Sequence, residues 1–153
     1  MSSSSVSPTP HPEPLCKQAP EQPPGIIVFD GVCLFCNGVV NFIIPRDVHR
    51  RFVFAPMQSQ TGQRLLQQHG IATEQIETFL LVLDNRPLTK SDAALAIAAE
   101  LKRPWCWLRL LRWVPAPLRN LGYSLIARNR YRLFGKSDAC VVPDAEVRSR
   151  FLE

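Results

Sequence analysis

The chain predicts an α/β domain: a mixed sheet flanked by helices, followed by a C-terminal helical extension. Short β-branched or apolar runs alternate with segments of helical periodicity, in the order β-α-β-α-β-β-α. The last two strands are separated only by a turn signal, Asp84-Asn85-Arg86-Pro87, which makes them a hairpin rather than another crossover. Size agrees, since 153 residues with 46% hydrophobic side chains suffice for one domain with a core.

Residues 1–25 contain four consecutive serines and closely spaced prolines. Such a segment cannot bury enough apolar surface to offset its ordering entropy. It reads as a disordered tail carrying an incidental thiol, Cys16, and leaves 26–153 as the domain. Ile26–Phe29 is a buried strand and Asp30-Gly31 a turn. From Cys33 to about Ile44 the pattern is helical, with Phe35, Val39, Phe42 and Ile43 on one face and Asn37 and Asn41 on another. Pro45 ends it, because proline lacks an N–H and disfavours helical geometry at the residue before it.

Arg51–Ala55 alternates as a second strand. Ser59 is the expected N-cap of a helix to about His69, closed by Gly70. Thr78–Leu83 is the strongest strand signal: five apolar residues in a row predict burial on both faces. Pro87–Thr89 returns beside it, and Ser91 or Asp92 caps an Ala-rich helix to about Leu101. Beyond Pro104 come two helices, Trp105–Trp113 and Pro117–Phe134, and a short last one from about Asp144. With a Cys-x-x-Cys pair directly after the first core strand, the plan is thioredoxin-like.

The formal charge of +5 is unevenly placed. Residues 101–137 hold seven Arg and two Lys and no Asp or Glu, so the rest of the chain is net negative. Aromatics are interleaved there, among them Trp105, Trp107, Trp113, Tyr123 and Tyr131. The expected arrangement is helices that pack apolar faces on the sheet while Arg stems extend outward, set against a surface for nucleic acid or anionic membrane. No nucleic-acid partner is expected. No apolar run approaches the roughly 18 residues of a membrane span. Five cysteines, an odd number with one x-x pair, do not form a secreted disulfide scaffold; a reducing, cytoplasmic setting is expected. The tail has no apolar signal region and no Arg, and it carries Glu13 and Glu21, so neither a secretory nor an organellar address is expected.

The chemistry concentrates at Asp30-x-x-Cys33-x-x-Cys36. Thiolate is the attacking species, and a helix N-terminus stabilises it. Cys33 therefore reads as nucleophile. Cys36, one turn further on the same face, reads as the thiol that resolves a mixed disulfide. Asp30 is placed to form the turn, cap the helix or relay a proton. No cofactor is required, and an external thiol or reductase recycles the pair. The alternative is a non-catalytic binding or scaffold module with a structural or zinc-binding cysteine pair and a basic helical surface. Zinc would require Cys106 and Cys140 as further ligands, though Cys106 reads better as core. Cys140 is a candidate third redox thiol. Arg128 and Arg130 are candidates to lower a thiol pKa or to hold an acidic substrate such as glutathione.

The run Phe29-Asp30-Gly31-Val32-Cys33-Leu34-Phe35-Cys36-Asn37-Gly38 resembles the DCC family of thiol–disulfide oxidoreductases, named for its Asp-x-x-Cys-x-x-Cys pattern. The resemblance continues through Asn41, Arg46-Asp47, Gln58-Ser59 with Gly62, and Ser91-Asp92-Ala93-Ala94. It ends with Arg128-Asn129-Arg130-Tyr131-Arg132, Phe134-Gly135 and Cys140, and covers about residues 26–152. It implies a thioredoxin-like fold and dithiol redox function on a protein or small disulfide or thiol substrate. Thioredoxins place a cis-proline before the strand facing the site. Here Glu77-Thr78 stands there, making Thr78 a candidate substrate-binding residue and the usual polypeptide mode an open question.

Overall fold

The computed structural model describes residues 25–75, 79–136 and 145–152. Thr78, Cys140 and the N-terminal segment through residue 24, Cys16 included, lie outside them. Four strands, β1 (Gly25–Phe29), β2 (Phe52–Pro56), β3 (Phe79–Leu83) and β4 (Arg86–Thr89), form one mixed sheet in the order β2-β1-β3-β4. β1 runs parallel to β2 and antiparallel to β3, with Ile27 level with Phe54 on one side and Leu81 on the other. α1 (Leu34–Ile43) makes the right-sized crossover from β1 to β2, and α2 (Gln60–Gln68) and α3 (Lys90–Glu100) follow β2 and β4. This is the thioredoxin-like α/β plan.

The central strands are buried because both sheet faces are covered. On one face Ile27, Phe29, Phe54 and Leu81 pack with Val40 and Ile43 of α1 and Ala93 and Ile97 of α3. On the other, Val28, Leu80 and Val82 pack with Leu66 of α2. Phe151, beyond the short α5 (Ala145–Arg148), returns to Phe54 at 5.6 Å between ring centroids. Arg150 fixes that return, donating to the Phe52 carbonyl at 2.8 Å and pairing with buried Asp47.

Four expectations change. The hairpin turn is only Asp84-Asn85, both at positive φ, since a two-residue loop with left-handed residues matches the strand twist. α3 begins after Thr89, and Ser91 does not cap it; its hydroxyl donates to Asn120 instead. Trp105–Trp113 is a 3-10 segment rather than an α-helix. Cys106 within it is half-buried rather than core.

The largest change concerns the basic extension. α4 (Ala116–Phe134) does not turn its aliphatic face to the sheet. It packs on α3 and α1 through Asn120, Tyr123, Ala127, Arg130 and Tyr131, leaving Leu118, Leu121, Leu125, Ile126 and Leu133 exposed. The inner face is polar because its partners are polar: Ser91, Asp92 and Asp30.

Candidate active site

β1 ends at Phe29 and the chain turns immediately. The Cys33 amide donates to the Asp30 carbonyl at 3.3 Å, and the Val32 amide to Asp30 Oδ1 at 3.2 Å. The turn delivers Cys33 as the N-cap of α1, with extended backbone and its Sγ accepting from the Cys36 amide at 3.4 Å. A sulfur thus occupies the place where a Ser, Thr or Asp oxygen usually satisfies the first-turn amides.

Asn37 is buried, and its amide donates to the Gly31 carbonyl at 2.9 Å. That bond ties α1 to the turn and satisfies the Gly31 carbonyl.

Cys33 and Cys36 are free thiols with 0% exposure. Burial, then the hydrogen bond and charge of Cys33, push the Cys36 thiol far up; Arg130 opposes this and Asp30 adds to it. The covering comes from the end of α4. Gly135 leaves the helix at φ +83, and Lys136 bridges antiparallel to Cys33. Phe134 stacks on Phe35 at 4.9 Å between centroids, and the Lys136 ammonium lies 4.4 Å from the Tyr131 ring centroid.

Asp30 is 2% exposed. Gln58 donates to its Oδ1 at 2.9 Å while accepting from the Gly31 amide at 3.1 Å. Tyr131 donates to Oδ2, with the Arg130 guanidinium 3.5 Å from the same oxygen. Burial alone would raise the Asp30 pKa. The donors Tyr131, Gln58 and Val32 N–H, with the Arg130 charge, outweigh it and hold the carboxyl below its ordinary range. The α1 cap itself is Cys33, so Asp30 serves the turn and the buried cluster.

A pocket of about 490 Å³ opens beside this cluster, lined by Asp30, Met57, Thr73, Glu74, Arg128, Arg130 and Tyr131. The structure therefore brings together Asp30, Cys33, Cys36 and Arg130, with exposed Arg128 on the pocket wall. Sequence reasoning gave no site role to Tyr131, Gln58, Asn37 or Lys136. Three of them stand in the stretches that carried the family resemblance; Lys136 had no signal. No helix among the described residues is long and apolar enough to cross a membrane.

A family model described as DCC1-like thiol-disulfide oxidoreductase matches residues 27–136. The chain is 42% identical over 130 residues to the uncharacterized protein YuxK of Bacillus subtilis, covering 85% of this chain and 95% of that one. It is 39% identical over 116 residues to the DCC family protein At1g52590, chloroplastic, of Arabidopsis thaliana, covering 75% and 67%. No solved structure matches.

Proposed function

The chain belongs to the DCC1-like thiol-disulfide oxidoreductase family, and on that premise we propose that it exchanges disulfides through Cys33 and Cys36. The observation that carries the reading is a sulfur at the N-cap of α1 with a second thiol one turn on. The Cys33 thiolate attacks a substrate disulfide, forming one S–S bond and expelling one substrate thiolate. Cys36 loses its proton and attacks Cys33 Sγ; the second substrate thiol leaves, and the substrate is reduced as the pair is oxidised. An external dithiol or reductase returns the pair to thiols.

Asp30, whose charge acts on Cys36, is the proposed proton acceptor in the resolving step. Access to Cys33 requires the Phe134–Lys136 segment to move, and Gly135 is the hinge. Arg128 and Arg130 beside the pocket support an acidic disulfide as substrate, a glutathione-like carboxylate being held by Arg128 while Arg130 stays with Asp30. Thr78 and Cys140 retain their proposed roles, substrate binding and third redox thiol. The odd cysteine count supports a reducing compartment, and the cytoplasm is the one proposed.

The test is reduction of glutathione disulfide and of a protein disulfide with a recycling dithiol. Cys33→Ser is expected to abolish exchange while keeping the urea unfolding midpoint, and Cys36→Ser to trap a mixed disulfide at Cys33. Full activity in Cys33→Ser would refute the assignment. Unfolding or zinc release from Cys33→Ser would favour the scaffold reading.

A further inference from the structure

The apolar side chains left outside by α4 form one face. Leu118, Leu121, Leu125 and Ile126 repeat at helical spacing, each 53–69% exposed. The preceding 3-10 segment adds Trp107 at 66% and Trp113 at 91%. A groove of about 360 Å³ joins the two elements, with Leu111, Val114 and Leu118 among its walls. Exposed aliphatic side chains at helical spacing beside an apolar groove mark a contact surface rather than scattered surface hydrophobics.

We propose that this face docks on the surface of an anionic lipid bilayer. Charge chooses the occupant. Residues 101–137 contain nine Arg and Lys and no carboxylate, and Arg109, Arg112, Arg128 and Arg132 are exposed around the apolar face. Aliphatic side chains at the centre, indole rings beside them and guanidinium groups at the rim suit the boundary between acyl chains and anionic headgroups. A second copy suits it poorly, because a twofold contact brings the exposed Arg109, Arg112, Arg128 and Arg132 against their own copies, with Asp92 beside Trp113 as a carboxylate at that edge. Nucleic acid suits it poorly too, since phosphate contacts need cations where this face has Leu and Ile. α4 joins the proposed membrane face to the redox cluster, as Arg130 and Tyr131 lie on its opposite side.

The test is cosedimentation of the full chain with vesicles of phosphatidylcholine alone and of phosphatidylcholine mixed with phosphatidylglycerol. Binding only to the anionic vesicles is expected, weakened by salt and accompanied by a blue shift of tryptophan fluorescence. The double variant Leu121→Ser, Leu125→Ser should bind roughly tenfold more weakly with an unchanged urea midpoint and disulfide exchange rate. Trp113→Phe should reduce the blue shift. No binding to anionic vesicles, or equal binding by the double variant, would overturn the proposal. So would a dimer in sedimentation velocity that the double variant converts to monomer, which would give the face to a second copy.

Discussion

Tyr131, near the end of α4, donates its hydroxyl to the carboxylate of Asp30, 101 residues earlier in the chain. Asp30 lies between β1 and the cysteines, so one hydrogen bond joins the Asp-x-x-Cys-x-x-Cys motif to the C-terminal extension. Tyr131→Phe removes this donor while keeping the ring. The Asp30 pKa should rise, and the protein should lose about 1–3 kcal/mol, since a buried acceptor loses its partner. Carboxyl NMR titration and urea unfolding check both; unchanged values would mean the bond contributes nothing.

Stability should vary with pH at both ends. Asp30 has a folded pKa below its unfolded value, so its contribution is present above about pH 4 and is lost as pH falls through the lower folded value. Cys36 has a folded pKa raised above 9.0, so its contribution is complete below that pH and declines as pH rises beyond it. Unfolding midpoints against pH should lose the acid limb in Asp30→Asn and the alkaline limb in Cys36→Ala.

Thiol reactivity should follow burial. In the native reduced protein Cys106, half-buried, should be alkylated before Cys33 and Cys36, which have no exposed surface. Phe134→Ala removes the ring stacked on Phe35 and should speed Cys33 alkylation by roughly two- to tenfold. Timed iodoacetamide labelling with peptide mass mapping reads both, and prompt labelling of Cys33 in the wild type would contradict a closed site.

Gly62 should tolerate no side chain. A Cβ there would lie 2.1 Å from the Pro56 carbonyl oxygen, so α2 could keep its place against β2 only by shifting. Gly62→Ala should cost about 1–3 kcal/mol, as overpacking does. Gly38, where a Cβ meets nothing within 4 Å, provides the control: Gly38→Ala should be neutral or mildly stabilising.

Local signals in the chain were sufficient where the physics is local. Ser59 caps α2, accepting from the Gly62 amide at 3.1 Å, and Gly70 closes it at φ +63, as their residue types foretold. Phe79–Leu83 announced a central strand because only a strand covered on both faces can hold five consecutive apolar residues. The signal failed at α4, where sequence shows that apolar residues share a face but not which face the rest of the fold will meet. The burial of Asn37 was not legible for a related reason: its partner is the carbonyl at the turn, and backbone acceptors leave no trace in residue type.

The sequence by itself determined the strand–turn–helix unit and two cysteines one turn apart, because strand periodicity, turn chemistry and the three-residue spacing act within about a dozen residues. Tertiary structure alone decided what surrounds them. The Gln58–Asp30 and Tyr131–Asp30 bonds span 28 and 101 residues, and the Cys33–Lys136 bridge ties the end of α4 to the first cysteine. Such contacts depend on where distant helices dock, and docking is set by the sum of all the faces. The thiol pair is thus a local product of the chain, while its burial, its buried carboxylate and the exposed apolar face of α4 are products of the fold.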